Sequence, residues 1–208
     1  IVDEYNNGDV DLHQMAADLA GISRKEAKVV NLGIMYGMGV GKLSNQLDIS
    51  KDEAKDILEL YNDKVPFVKQ IATIASQRAT TEGQIRTILG RRCRFHLWEP
   101  RTFEYNKAMP LAEAEKEYGG LGMLRRAFTY KALNKLIQGS AADQTKKAMV
   151  DCYAENFTPM LTVHDELCFS VQNEEQAKRI TEIMETGLPL NVPTRVDCEM
   201  GDNWGEAG

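Results

Sequence analysis

The chain has 208 residues, of which 43% are hydrophobic, and its 25 basic and 31 acidic residues give a formal net charge of -6. This hydrophobic content can fill a core, and no apolar run approaches the roughly 18 residues of a membrane-spanning helix. The acidic balance argues against indiscriminate binding to nucleic acid. Four scattered cysteines without a Cys-x-x-Cys pair argue against a zinc site and are typical of a reduced, cytoplasmic protein.

Helices are predicted for the first third of the chain. The segment Ser23-Arg24-Lys25-Glu26 has the Ser-x-x-Glu spacing of a capping box and predicts a helix over about 23–38. The segment Ser50-Lys51-Asp52-Glu53 repeats this signal and predicts a helix that ends at Pro66. A third helix is predicted over 67–80, so the front of the chain is expected to form a helical lobe.

Strands and longer helices are predicted for the rest of the chain. We expect a strand over 84–89, an irregular surface excursion over 96–121 and a long helix over about 123–155. A hairpin, a helix over 174–186 and a final strand over 194–200 follow. Helices that precede hairpin-connected strands are typical of the α+β class, with an antiparallel sheet beside a helical lobe.

The net charge conceals a basic region in the long predicted helix. Between Arg125 and Lys147 there are six basic residues and one acidic residue. A local basic face of this kind attracts a polyanion even when the whole chain is acidic.

The segment from Leu161 to Val171 contains the most informative polar turn. Two β-prone runs flank His164-Asp165-Glu166, which places two adjacent carboxylates at the tip of a hairpin. Taken alone, this pattern favours an ordinary solvated turn, because aspartate hydrogen-bonds its own backbone in turns. Carboxylates on a rigid turn also suit Mg²⁺, which takes one or two carboxylates together with substrate phosphates.

A second pattern lies on the first predicted helix. Four side chains, each four residues apart, share one winding face of it: Arg24, Lys28, Leu32 and Tyr36. At about 1.5 Å per residue this face is roughly 18 Å long, the length of an extended nucleoside triphosphate. The basic residues lie at the helix N-terminus, where the helix dipole favours phosphate. The alternative is an amphipathic helix with a solvated basic end, but the glycines of Gly33–Gly37 favour a close approach to the backbone.

These patterns resemble motifs of the family A, polymerase I-like DNA polymerases. The spacing of Arg24, Lys28 and Tyr36-Gly37 resembles the family's fingers-helix motif, and His164-Asp165-Glu166 resembles its palm motif. Further segments resemble family motifs in the same order: Leu89-Gly90-Arg91-Arg92, the stretch from Asn134 to Asp143, and Gly201-Asp202-Asn203-Trp204. The resemblance runs from about Asp9 to the end of the chain.

The resemblance implies a partial right-hand polymerase fold. Residues 1–90 would form the helical fingers subdomain, and residues 91–208 the palm subdomain with an inserted loop over about 96–121. The length of that loop favours a phage-type member. The implied activity is that of a DNA-directed DNA polymerase, a nucleotidyltransferase that transfers a deoxynucleotidyl group from a dNTP to a primer 3′-hydroxyl during DNA replication.

The resemblance also implies roles for individual residues that contact the nucleotide. His13, Arg24 and Lys28 would hold the triphosphate, and Lys28 would be the general acid for the pyrophosphate leaving group. Tyr36 would lie beside the nascent base pair. Leu32 occupies a position where the family usually has an aromatic residue, so we expect altered discrimination among nucleotide analogues. For His13 the alternative is an ordinary surface histidine.

Contacts to DNA are implied for a second set of residues. Asn134 and Gln138, one helical turn apart, would contact the minor groove near the primer end, where acceptors occur on every base pair. Arg91 and Arg92 would contact template phosphates. His164 would shape the turn near the primer end. The alternatives are a hydrogen-bonded amide pair and plain surface charge.

Asp165 is the implied carboxylate ligand of two Mg²⁺ ions, and Glu166 a supporting catalytic residue beside it. The family's other metal-binding aspartate lies in an Asp-x-Ser-x-x-Glu pattern before the His13 region, and this sequence has no such pattern. We therefore expect an upstream polypeptide to supply that ligand and the thumb. The chain alone is expected to be inactive.

Two other functions fit parts of the sequence. Single-subunit RNA polymerases share the Lys-to-Tyr-Gly spacing and a His-Asp hairpin, but Glu166 and the Asn134/Gln138 helix favour the DNA enzymes. A non-catalytic nucleic-acid-binding fragment would not need Lys28 and Asp165, and both are present. The expected partners are primer-template DNA and dNTPs, in the cytoplasm of a bacterium or of a phage-infected host.

Overall fold

The computed structural model describes residues 2–8, 11–35, 38–102 and 107–207. The chain divides into two compact units, each described by itself below. The central unit is Asp11–Gly139, and the terminal unit combines Ile1–Val10 with Ser140–Gly208. The predicted boundary between fingers and palm near residue 90 stays a prediction.

The predicted α+β class is confirmed, since helices occur together with small antiparallel sheets. Within the described residues no helix has the length and apolar character needed to cross a membrane. In chain order the helices are α1 (Val2–Asn7), α2 (Leu12–Ala20), α3 (Arg24–Met35), α4 (Val40–Leu47), α5 (Lys51–Lys64), α6 (Pro66–Thr81), α7 (Leu111–Tyr118), α8 (Ala132–Ala154) and α9 (Glu174–Thr186). The strands are β1 (Gln84–Arg86), β2 (Arg92–Arg94), β3 (Leu97–Pro100), β4 (Met109–Pro110), β5 (Leu124–Arg126), β6 (Pro159–Val163) and β7 (Glu166–Phe169).

Both predicted capping boxes are confirmed. At the start of α3, the Glu26 amide donates to Ser23 Oγ at 3.2 Å, and the Ser23 amide donates to Glu26 Oε2 at 2.8 Å. The same pair of bonds joins Ser50 and Glu53 at the start of α5. Reciprocal bonds of this kind satisfy backbone donors that the first helical turn leaves unpaired.

The helical core of the central unit is built largely from small residues. Alanines let α2 pack closely against α3, while Leu43, Tyr61 and Val65 fill the space toward α4 and α5. Residues in the fully buried cluster are Ala16, Ala17, Ala27, Val30, Leu43, Ala54, Tyr61 and Val65. The cluster buries the side of α3 that has Ala27 and Val30. The opposite side of α3, with Arg24 and Lys28, is exposed to solvent.

The strand predicted over 84–89 is shorter than expected. It ends at Arg86, after which the Gly90 amide donates to the Thr87 carbonyl at 2.8 Å and reverses the chain. Gly90 has φ 82°, a left-handed conformation that glycine adopts without a steric cost. β1 then pairs antiparallel with β2, with Ile85 opposite Cys93.

The prediction of an irregular excursion over 96–121 is wrong. That stretch contributes β3 and β4 to a three-stranded sheet of order β4-β3-β5 and also contains α7. Trp98 lies opposite both Met109 and Arg126. Met109 and Ala114 of this stretch form a buried cluster with Leu124 of β5. The long helix likewise begins at Ala132 and not near 123, because the residues of β5 pair with β3.

In the terminal unit the predicted hairpin and the helix over 174–186 are confirmed. β6 pairs with β7 antiparallel, and the cluster of Cys152, Ile180 and Ile183 packs α9 against the end of α8. The strand predicted over 194–200 is wrong, because that segment forms no strand. The Val196 amide donates to Glu185 Oε1 at 3.0 Å, so its bond goes to a side chain and not to a neighbouring strand.

Candidate functional site

One carboxylate joins the first turns of α2 and α3. Asp11 caps α2 by accepting from the His13 amide at 2.9 Å and from the Gln14 amide at 3.0 Å. Its other oxygen accepts from Nε of Arg24 at 2.7 Å. The bond from the Gln14 amide, and then that from Arg24, hold the pKa of the Asp11 carboxyl below its usual value. Asp11 therefore stays charged and holds the Arg24 guanidinium beside the start of α2.

The His13 ring is held from α3. Nδ2 of Asn31 lies 3.1 Å from Nδ1 of His13, and the hydroxyl of Tyr61 on α5 donates to Oδ1 of the same asparagine. Tyr61 is 1% exposed, so its burial raises the pKa of the phenol and keeps the hydroxyl protonated. Hydrogen bonds thus connect the buried Tyr61, through Asn31, to the half-buried His13.

The predicted face of Arg24, Lys28, Leu32 and Tyr36, called the ladder from here on, lies on the exposed side of α3 in its described part. Arg24, Lys28 and Leu32 are exposed, whereas Ala27 and Val30 on the other side of the helix are fully buried. Within the described part of the chain the Lys28 ammonium forms no hydrogen bond and no ion pair. Tyr36, the fourth member, lies outside the described residues. The three described members can therefore meet a ligand along one side of α3.

Gly33 also makes the close contact predicted for it. A Cβ atom built at this buried glycine would lie 2.9 Å from the Met38 sulfur, so the side chain of Met38 occupies the space above the helix backbone. The other predicted glycine, Gly37, lies outside the described residues.

The two predicted template-contacting arginines differ in their surroundings. An Nη atom of Arg91 donates to the Gly139 carbonyl of α8 at 2.7 Å, and a Cβ atom at Gly139 would meet Thr87 at 2.8 Å. Arg92 is exposed and forms no ion pair with a described residue. The turn between β1 and β2 therefore packs closely on α8 through Arg91, while Arg92 extends into solvent.

The predicted amide pair lies on α8, in the same central unit. Asn134 is half-buried and Gln138 is exposed, one helical turn further along. Nearby, the ammonium of Lys135 lies 4.7 Å from the centroid of the Phe95 ring. The central unit thus contains all the described residues predicted to bind nucleotide or template, and His164, Asp165 and Glu166 lie in the terminal unit.

In the terminal unit a two-residue turn places the predicted carboxylates. Val163 pairs with Glu166, so His164 and Asp165 form the turn between β6 and β7. His164 has φ 54°, a left-handed conformation that costs a residue with a side chain roughly 1–2 kcal/mol. Asp165 and Glu166 are exposed, and neither carboxylate has a hydrogen-bond or ion-pair partner among the described residues.

These carboxylates line a cleft of about 840 Å³ in the terminal unit, which also includes Asp202 and Trp204 of the C-terminal segment. Exposed carboxylate oxygens that have no partner among the described residues suit Mg²⁺ in chemistry. The described residues contain no group of three or more His, Cys, Asp or Glu side chains placed to hold a metal ion. By the chemistry of its oxygen atoms alone, the pair of carboxylates fits at most a part of a magnesium site.

Sequence reasoning missed Asp11, Asn31 and Tyr61, which hold the predicted ligands in place. Asp11 was detectable as a residue of high N-cap preference before Leu12. The bonds of Asn31 had no local signal, because His13 and Tyr61 are 18 and 30 residues away from it in the sequence.

Comparison with known proteins gives a consistent result. The sequence profile described as DNA polymerase family A matches residues 1–206. The DNA-directed DNA polymerase of Pseudomonas phage M6 is 34% identical over 99% of this chain and 33% of its own length. DNA polymerase I of Bacillus caldotenax is 33% identical over 96% of this chain and 23% of its own length.

A solved structure resembles the chain over nearly its whole length. It is the POL domain of Pol1 from M. smegmatis, in a complex with DNA primer-template and dNTP. The TM-score is 0.76 at 29% sequence identity, covering 99% of this chain and 36% of that chain. This chain thus spans about a third of the phage relative and of the structural neighbour.

Proposed function

The chain belongs to DNA polymerase family A, and we propose that it contributes the nucleotide-binding helix and one metal-binding carboxylate to template-directed DNA synthesis. The primer 3′-hydroxyl attacks the α-phosphorus of a dNTP, a phosphodiester bond forms and pyrophosphate leaves. The observation that carries this proposal is the exposed ladder of Arg24, Lys28 and Leu32 on α3.

The basic part of the ladder binds the triphosphate. Arg24 and Lys28 lie in the first two turns of α3, where the helix dipole adds to their attraction for phosphate. Lys28, which is not engaged with a described side chain, is free to donate a proton from Nζ to the oxygen of the leaving pyrophosphate. His13 binds the same triphosphate from α2.

The apolar part of the ladder contacts the sugar and the base. Leu32 is 40% exposed, so a deoxyribose can cover its side chain. A leucine keeps the apolar contact of an aromatic residue but loses the flat ring. Tyr36, one turn further along, contacts the nascent base pair.

Two carboxylates contribute to the magnesium site. Asp165 is the proposed ligand of both Mg²⁺ ions, and Glu166 supports it from the start of β7. When bound, the ions neutralise charge on the phosphates and activate the primer hydroxyl. The strained turn at His164 holds Asp165 at the tip of the hairpin near the primer end.

Four further side chains of the central unit contact DNA. Asn134 and Gln138 bind minor-groove acceptors near the primer end, and these contacts test base-pair geometry without reading sequence. Arg92 and Arg91 bind template phosphates.

A second polypeptide, or a preceding segment of the same protein, completes the enzyme. This proposal is supported by the share of each relative that the chain spans, about a third of the phage polymerase. That part carries the thumb and the first metal-binding aspartate, so the chain alone does not polymerise. We refer to the combination as the assembled polymerase, which works in the cytoplasm of a bacterium or a phage-infected host.

Primer extension by the assembled polymerase tests the role of α3. Lys28→Ala should reduce incorporation at saturating dNTP, because the leaving group loses its proton donor. Lys25→Ala removes an exposed lysine from the same helix and is the matched control, expected to retain activity. Equal activity of the two variants would contradict the proposed role, and preference for ribonucleotides would indicate an RNA polymerase.

A further inference from the structure

The hydrogen bonds around Asn31 restrict the protonation of His13. A carboxamide side chain has one accepting end, Oδ1, and one donating end, Nδ2. The Tyr61 hydroxyl donates to Oδ1, which leaves Nδ2 facing Nδ1 of His13 at 3.1 Å. Since Nδ2 can only donate, Nδ1 must carry a lone pair. The single proton of the neutral ring is then on Nε2.

The burial of Tyr61 makes this arrangement durable. Its side chain belongs to the core cluster between α3 and α5 and is 1% exposed. A phenol in such surroundings remains protonated, and among the described residues its hydroxyl hydrogen-bonds to Asn31 alone. If the amide turned over, the phenol oxygen would accept from Nδ2, and the buried hydroxyl proton would lose its acceptor. If the amide turned over, Oδ1 would face His13 and would require a proton on Nδ1. The Tyr61 hydroxyl therefore favours one orientation of the amide and, through it, one tautomer of the ring.

We propose that Asn31, oriented by Tyr61, is a positioning residue that holds His13 in its Nε2–H tautomer and so directs a hydrogen-bond donor toward the triphosphate. This inference rests on the proposed function, in which His13 binds phosphate. A phosphate oxygen accepts hydrogen bonds and does not donate them at neutral pH, so a ring with a lone pair at Nε2 would repel it. Asn31 and Tyr61 act only through His13.

The nitrogen resonances of the His13 ring give a direct test that needs no nucleotide. Long-range ¹H–¹⁵N spectra of the chain distinguish a protonated from an unprotonated ring nitrogen. With three histidines in the sequence, His13→Gln assigns the signal. We expect an unprotonated Nδ1 and a protonated Nε2 at neutral pH. A proton on Nδ1 would overturn the inference whatever the nucleotide affinity.

Two variants connect the tautomer to binding of dATP, measured by titration of the same chain. Asn31→Asp replaces the donor by an acceptor and should place a proton on Nδ1. Tyr61→Phe keeps the buried ring, removes the hydroxyl and should give a mixture of tautomers. Tyr61→Phe should weaken dATP binding roughly fivefold, the effect of losing about one hydrogen bond. Asn31→Asp should weaken it more, because the new carboxylate also repels the triphosphate. Tyr153→Phe, which removes an exposed hydroxyl in the terminal unit, is the control and should change neither property.

The outcomes separate this inference from the proposed function. A changed tautomer with unchanged dATP affinity in both variants would refute the positioning role. If the wild-type chain has the expected tautomer but binds no dATP, the proposed function fails and the tautomer assignment stands. If Tyr61→Phe fails to fold, Asn31→Asp still tests the positioning role separately from the proposed function. Asn31 is only half-buried, so we expect this variant to fold.

Discussion

Nε of Arg24 donates a 2.7 Å hydrogen bond to Oδ2 of Asp11, thirteen residues earlier in the chain. The same carboxylate caps α2, so it joins the first turns of the two helices that hold His13 and Lys28. The two side chains are 54% and 42% exposed, and ion pairs this exposed contribute little to stability. The contact therefore serves to orient Arg24 more than to stabilise the fold.

The pH dependence of stability should reveal the ionised Asp11 carboxylate, which accepts from backbone amides of α2 as well as from Arg24. Because the Asp11 carboxyl has a pKa below its ordinary value of 3.8, its stabilisation is complete above that value and is lost as the pH falls through the lower folded pKa. Asp11→Asn keeps a capping side chain but cannot ionise. We expect it to make the fall in melting temperature below pH 4 shallower. Circular dichroism from pH 7 to pH 2 measures this, and Asp56→Asn in the middle of α5 should leave the profile unchanged.

Gly83 should be the most sensitive glycine of the sheet region. It has φ 68°, and a Cβ atom there would lie 2.6 Å from Cζ of Arg126, which also contacts the Trp98 ring at 4.5 Å. Gly21 has a similar φ of 66° and open space around it. Alanine at either position should cost roughly 1–2 kcal/mol for the left-handed backbone.

Gly83→Ala should cost about 1 kcal/mol more than Gly21→Ala, because it displaces Arg126 from the indole. Denaturant unfolding measures both variants. In an Arg126→Ala background this excess should vanish. Equal costs for the two glycines in the wild-type background would show that Arg126 makes no contribution.

Leu32 should determine how the assembled polymerase discriminates against dideoxynucleotides. Leu32→Phe and Leu32→Tyr restore a flat ring on the exposed face of α3, and we expect both to change the ratio of dideoxynucleotide to deoxynucleotide incorporation. Neither should lower stability by more than about 0.5 kcal/mol, since the position is exposed. Leu43→Ala, at a fully buried position, should cost about 2–5 kcal/mol. Unchanged nucleotide selectivity in both aromatic variants would refute the role of Leu32.

Replacing His164 by glycine should raise the stability of the terminal unit and lower the activity of the assembled polymerase. The φ of His164, 54°, lies in the left-handed region, which disfavours a residue with a Cβ atom, so His164→Gly should stabilise the terminal unit by roughly 1 kcal/mol. Asn156 has φ 68°, but the short polar side chain of asparagine can hydrogen-bond locally in this conformation, so Asn156→Gly should gain less. In the assembled polymerase only His164→Gly should reduce primer extension. A destabilised His164→Gly variant would mean that the histidine side chain makes a compensating contact.

Local signals in the sequence predicted much of this structure. The capping boxes at Ser23 and Ser50, and the turn at His164-Asp165, involve residues within a few positions of one another, so their patterns are readable without the fold. The sheet of β3, β4 and β5 was not predicted, because Trp98 and Arg126 pair across a long separation. The alternation of apolar and polar residues over 194–200 led to the wrong prediction of a strand. In the structure the Val196 amide donates to the Glu185 carboxylate.

The candidate site also has one part that the sequence predicted and one part that it did not. The exposed face of Arg24, Lys28 and Leu32 follows from helical spacing, and α3 confirms it. Asp11 orients the Arg24 side chain and Asn31 orients the His13 ring, and both contacts depend on how α2, α3 and α5 pack. No single segment encodes that packing, so the supporting residues became visible only in the folded chain.

Magnesium-dependent primer extension by the assembled polymerase, with Asp165→Asn in this chain, tests the central claim most directly. Asp165→Asn keeps the shape of the turn and removes a metal-binding charge, so we expect a loss of at least about a hundredfold, equivalent to about 3 kcal/mol. Asp202→Asn, in the same cleft, is the matched control and should retain activity. Wild-type rates with Asp165→Asn, or robust synthesis by this chain alone, would contradict the account.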